Sequence, residues 1–220
     1  DGKLYGLGTS DMKCFFPIVI EMLKKVDLKK LKQPLYILAT CDEESNMSGA
    51  RALVEQQRKL GRYALIGEPT GLKPINMHKG ILMESIKLIG RSGHSSDPNL
   101  GISALEGMNS VITSLSAWRQ QLQSDNCNSA FEVPIPTMNY GSIHGGDNPN
   151  RICAECELNL DVRLLPGMEL DNLRADIRRT VMERIDETGL SVEFESLFPG
   201  IPPLETDASS KIIALAEKLS

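Results

Sequence analysis

Four acidic side chains in the first third of the chain have the types and spacing for metal chemistry: Asp11, Glu43, Glu44 and Glu68. They sit in "GLGTSDMK", "ATCDEES" and "IGEPT", each where an apolar or glycine-rich run gives way to polar sequence. Taken singly, Asp11 reads as a first-turn helix acid, Glu43 and Glu44 as a solvated turn, and Glu68 as a loop-start carboxylate. Taken together, they bring like charges to one sheet edge, a place where only a cation could hold them. Oxygen ligands alone suit Mg²⁺, Mn²⁺ or Ca²⁺. Two metals about 3.5–4 Å apart need a bridging carboxylate and further ligands for each. Asp11 can bridge, with Glu44 and Glu68 as one ligand apiece. Glu43 is then left over beside a water, placed as a general base.

The elements that must position these acids alternate in type. Residues 12–26, "MKCFFPIVIEMLKKV", have helical apolar spacing, with Pro17 predicting a late start or a kink. "PLYILAT" reads as a buried strand, "SGARALVEQQRKL" as a helix and "RYALIGEPT" as a second strand. Continuous apolar strands joined through a helix predict a parallel sheet covered on both faces, with ligands at the strands' carboxyl ends.

From about residue 76 the pattern becomes β-α-β-β-α-β: "KGILMESIKLIG", a helix over 102–123, "IPTMNYGSI", "RICAECELNLDVRLL", a helix over 169–187 and "SVEFESLF". The fold class expected is therefore α/β. It consists of an incomplete, doubly covered, mostly parallel sheet domain interrupted by a ferredoxin-like α+β domain. The boundaries expected are 1–75 for the first part, 76–198 for the insertion and 199–220 for the return. The opening residues and the final helical run both lack a stop or start signal, which reads as an inner piece of a longer protein.

Composition narrows the function. A net charge of −5 offers no basic patch for a phosphate backbone, so a nucleic-acid partner is not expected. No apolar run reaches the ~20 residues that span a bilayer, so no membrane partner is expected either. Five scattered cysteines point to reduced thiols and a cytoplasmic protein. Cys153 and Cys156 form a C-x-x-C pair in strand-like sequence. Residues three apart on a strand point to opposite faces, so the expectation is two unrelated packing cysteines rather than a redox or zinc site.

The motifs "GLGTSDMK", "ATCDEES", "IGEPT", "GRSGHSSDP" and "HGGDNPNRICAECELNLDVRLLPG" together resemble the dizinc aminoacylase/carboxypeptidase metallohydrolase family over essentially the whole chain. The resemblance implies two Zn²⁺ per subunit, with Co²⁺ as a possible substitute, and hydrolysis of an N-acyl amino acid in amino-acid biosynthesis. It implies that Asp11 bridges the metals, that Glu44 and Glu68 each bind one, and that Glu43 is the general base. His94 would reach into a partner subunit's site to steady the oxyanion of a homodimer built through the inserted domain. Asn150 and Arg163 would hold the substrate, the guanidinium gripping its carboxylate. The family also supplies one histidine to each zinc, in segments outside these 220 residues, so the piece alone is expected to hydrolyse little. His78 and His144 are read as structural. Two other readings stand beside the enzyme: a non-catalytic dimerisation module, and a carboxylate-only Mg²⁺ or Mn²⁺ site.

Overall fold

The computed structural model describes residues 2–220 and divides into two units, Asn76–Thr206 and the discontinuous pair Asp1–Ile75 with Asp207–Ser220. In chain order the elements are α1 (Phe15–Lys25), α2 (Ser48–Glu55), β1 (Met77–His78), β2 (Gly80–Ile89), α3 (Ala104–Asp125), β3 (Thr137–Gly145), β4 (Glu155–Leu164), α4 (Leu170–Ile185), β5 (Ser191–Ile201), β6 (Leu204–Glu205) and α5 (Lys211–Leu219).

The inserted unit is an antiparallel four-stranded sheet in the order β3-β4-β2-β5. That order, with α3 and α4 as the two connections, is the ferredoxin-like arrangement expected from the sequence. Alternation along the strands makes the layer. Leu82, Ile86 and Leu88 of β2 and Cys156, Leu158, Leu160, Val162 and Leu164 of β4 face the core. The helices answer with stripes at helical spacing: Ala104, Met108, Val111 and Leu115 on α3, and Leu173, Ile177, Val181 and Ile185 on α4. Ser103 caps α3, its Oγ accepting from the Glu106 backbone N–H at 3.2 Å. One charged side chain lies inside this core. Glu84 sits on the buried face of β2 at 2% exposure. The unit extends past residue 198 because β5 runs on to Ile201 and β6 pairs antiparallel with β1, Met77 opposite Glu205.

In the first unit, α1 begins at Phe15, so Pro17 falls in its first turn, where a missing N–H interrupts no intrahelical bond. α2 ends at Glu55 rather than near residue 60. Gln57 adopts a left-handed φ of 52°, and the Gln57 and Arg58 N–H groups return to Val54 and Leu53, a Schellman stop without glycine.

The mixed α/β class holds, but the parallel sheet expected of this unit is not formed. Residues 34–40 and 62–70 enter no sheet ladder among the described residues. Their apolar side chains stay in solvent, with Ile37 47% and Ile66 71% exposed. Parallel strands persist only when paired and covered on both faces, and no described segment supplies that cover.

Candidate active site

The first unit places its acids through three local devices. The turn before α1 is held by the Lys13 N–H donating to the Gly8 carbonyl at 2.8 Å, and it carries Asp11 four residues ahead of the helix. The cap position belongs to Cys14, so Asp11 is not engaged as an N-cap. The loop before α2 is knotted on Asp42, whose carbonyl accepts from Met47 N at 2.6 Å and whose carboxylate accepts from the Ser48 hydroxyl. Among the described residues no side-chain hydrogen bond or ion pair engages neighbouring Glu43 and Glu44, and both act on Glu68 by charge. Glu68 follows Gly67, which lies so close to Phe15 at the start of α1 that a Cβ there would fall 2.0 Å from the ring. That approach brings Glu68 beside Asp11.

The electrostatic result is legible at Glu68. Its carboxyl is held above the ordinary value, first by partial desolvation, then by the charge of Asp11, with Glu43, a hydrogen bond to Asp11 and Glu44 adding to it. The other three acids singled out from the sequence thus all act on Glu68.

They do not form a closed ligand set. Among the described residues no three His, Cys, Asp or Glu side chains gather closely enough to hold a metal ion. Asp11, Glu43 and Glu44 act on Glu68 by their charge, but Asp11, Glu44 and Glu68 are not gathered as a metal-ligand group among the described residues. The donor set suits a hard cation in its chemistry, but it lacks the nitrogen ligands zinc prefers.

The inserted unit assembles a second cluster. His94 forms an isolated antiparallel bridge with Arg151, the Ser95 N–H donates to the Asn150 carbonyl at 3.0 Å, and the Ile152 N–H donates to Gly93 at 2.8 Å. His94 and Asn150, distant in sequence, therefore sit on two loops laced together by backbone bonds. Arg163 is not with them. It lies near the far end of β4, eight residues and roughly 26 Å of strand beyond Glu155. There its Nε pairs with Asp161 Oδ2 at 2.9 Å.

The cysteine pair needs a correction. Cys153 and Cys156 do not take opposite faces, because β4 begins only at Glu155 and the irregular backbone before it turns both thiols into the core. Burial, with Cys153 nearby, pushes the Cys156 thiol up to about 11. The packing role stands, with Cys153 Sγ donating to the Glu155 carbonyl at 3.0 Å.

Two residues escape sequence reasoning. Ser96 bonds the His94 ring at 2.7 Å, and the H-x-S spacing is too common to single it out. Glu84 is signalled only by its parity with Leu82 and Ile86.

Comparison with known proteins agrees with this architecture. The chain is 47% identical over 219 residues to an acetylornithine deacetylase of Proteus mirabilis and 46% identical to one of Edwardsiella ictaluri. All of this chain is covered, but it spans only 57% of the length of either relative. Solved structures of a Staphylococcus aureus tripeptidase (20% identity, TM-score 0.55, 80% of this chain and 44% of that one) and of aminopeptidase PepT from Bacillus cereus (18%, 0.54, 81% and 46%) share its fold. A profile of the peptidase dimerisation domain matches residues 76–188, about half the chain and the ferredoxin-like unit up to the end of α4. The chain belongs to the M20 peptidase dimerisation-domain family.

Proposed function

We propose that these residues are part of a metal-dependent amide hydrolase that removes the acyl group from an N-acyl amino acid, N2-acetyl-L-ornithine being the substrate favoured by the relatives' names. The observation that carries the reading is the electrostatic gathering of Asp11, Glu43, Glu44 and Glu68 at one place in the first unit. Asp11, Glu44 and Glu68 are the residues that would hold two zinc ions, or cobalt in their place, once nitrogen ligands complete the set. When bound, such metals supply positive charge to an amide oxygen and acidify a water.

The chain's own groups divide the remaining work. Glu43 takes a proton from the attacking water and returns it to the leaving amine nitrogen. His94 donates a hydrogen bond to the carbonyl oxygen as negative charge develops there. Asn150 holds the substrate, and Arg163 exchanges Asp161 for the substrate carboxylate. Because His94 and the acids lie on separate units, this reading has the intact protein act as a homodimer through the inserted unit, in arginine biosynthesis in the cytoplasm. The match to a dimerisation domain and the five free thiols support it.

In the intact protein, Glu43→Gln should retain metal by elemental analysis and lose turnover of N-acetylornithine, since an amide accepts no proton. Near-normal turnover in that variant overturns the reading. Parallel assays with N-succinyl-diaminopimelate distinguish the related desuccinylation. A metal-free 220-residue chain that dimerises in scattering measurements, from a parent without hydrolysis, would favour a purely dimerising module.

A further inference from the structure

We infer that Ser96 is a positioning residue that holds His94 as its Nε2-protonated tautomer, so that Nε2–H is the group offered to a substrate carbonyl oxygen. The inference rests on the role proposed above for His94, and the geometry supplies what that role leaves open: which ring nitrogen carries the hydrogen. A neutral imidazole has one donor nitrogen and one acceptor, and the partner of one fixes the other.

The Ser96 backbone N–H is directed at His94 Nδ1 at 3.3 Å. A backbone amide only donates, so Nδ1 must present its lone pair and the ring hydrogen must sit on Nε2. The Ser96 hydroxyl lies 2.7 Å from the same nitrogen and turns to donate as well. Nε2 has no partner among the described residues, and the side chain is exposed.

The backbone around this contact is fixed rather than adaptable. The Asp97 N–H donates to the His94 carbonyl at 3.0 Å, and Gly93 and Ser95 are bonded to Ile152 and Asn150. His78, in the same unit, provides an internal contrast. Its Nδ1 lies 3.1 Å from the Lys79 carbonyl oxygen, which only accepts, so there the hydrogen is on Nδ1. Without the Ser96 hydroxyl only the longer backbone contact at 3.3 Å would hold Nδ1 as an acceptor, so the preference would weaken and His94 would spend part of its time in the other tautomer. The Nδ1-protonated form would set a lone pair against a carbonyl oxygen gaining negative charge.

The test is long-range ¹H–¹⁵N correlation on the labelled 220-residue chain at about pH 8, above the ordinary histidine range. His94 among the three histidines is assigned by its loss in His94→Gln. The expected result is opposite tautomer patterns for His94 and His78. Ser96→Ala should move the His94 ring nitrogens toward a mixture, and Ser96→Thr, which keeps the hydroxyl, should not. In the intact enzyme, Ser96→Ala should lower kcat roughly 3- to 10-fold, the worth of one neutral hydrogen bond, with KM unchanged and Ser96→Thr restoring the rate. A wild-type His94 protonated on Nδ1, unchanged ring shifts in Ser96→Ala, or unchanged kcat in Ser96→Ala would each overturn the inference. Full turnover in His94→Gln would instead sink the catalytic reading on which it rests, a separate outcome because the ring signature is read without turnover.

Discussion

Glu84 and Arg174 are joined across the helix–sheet interface of the inserted unit, Glu84 Oε1 accepting from Arg174 Nε at 2.8 Å. The acid is buried on β2, and Ser196 Oγ on β5 donates to the same oxygen at 2.7 Å. Arg174 also reaches the Pro199 carbonyl at 3.0 Å, so one guanidinium ties α4 to both strands. Truncating Glu84 leaves the largely buried Arg174 with only the Pro199 carbonyl and the exposed Asp171, 3.5 Å away, to balance its charge. Glu84→Leu should cost about 3–5 kcal/mol in urea unfolding followed by Trp118 fluorescence, the single tryptophan packing against this core. Adding Arg174→Met should recover most of the loss, because an apolar pair of similar volume replaces an ion pair at little cost. A double variant as unstable as the single one would show that the pair's value is not electrostatic.

The first unit should grow less stable as pH rises above 4.5. Glu68 has a folded-state pKa above that ordinary value, so over this window the folded state binds a proton that the unfolded state has already released. Below 4.5 both states are protonated and nothing is lost. As pH climbs through the folded pKa the penalty develops, then stays constant. Hydrogen exchange of the α1 amides, read by mass spectrometry across this range, should show the slope, and Glu68→Gln should flatten it.

Thiol reactivity should divide the cysteines three to two. Cys14, Cys41 and Cys127 are exposed, and Cys153 and Cys156 are buried. Raising Cys156 from 9.0 to about 11 cuts its thiolate fraction near neutrality about a hundredfold before burial is counted. Alkylation followed by peptide mapping should modify the first three quickly and Cys156 last.

Gly90→Ala should loosen the segment that carries His94. A Cβ on Gly90 would fall 2.1 Å from the Ile102 carbonyl oxygen, which accepts from the Arg91 N–H at 2.9 Å. The clash is with backbone, so it is relieved only by moving one strand of the bridge. A cost of about 1–3 kcal/mol is expected, with amide protection lost first at Arg91 and Ile102.

The two units differ in how much of them is written locally. In the inserted unit the alternation of "ILMESIKL" and the stripes of α3 and α4 depend on neighbours within the same contiguous stretch, so element order and sheet topology follow from the pattern. Element ends were less legible. The C-x-x-C pair reads as taking opposite faces because nothing in "RICAEC" marks that the strand starts only at Glu155. In the first unit "PLYILAT" and "RYALIGEPT" have strand composition, but a parallel ladder is a non-local structure that composition cannot supply. For the candidate site, residue types at loop ends pointed to Asp11, Glu43, Glu44 and Glu68. How near Glu68 comes to Asp11 depends on how closely Gly67 approaches Phe15, which no spacing rule encodes. Ser96 stayed invisible for the opposite reason, since a serine two residues from a histidine is common and only the direction of its N–H gives it meaning.

The β1–β6 clasp makes the inserted unit a self-contained detour: the chain departs and comes back at adjacent points, with His78 facing Leu204. Joining two such remote dipeptides in a bare coil would carry a large entropic cost, whereas a prefolded insertion delivers its own ends side by side. On the ribosome, Asn76–Thr206 can therefore mature before α5 emerges, and the final segment meets its upstream partners as though the excursion were a tight turn.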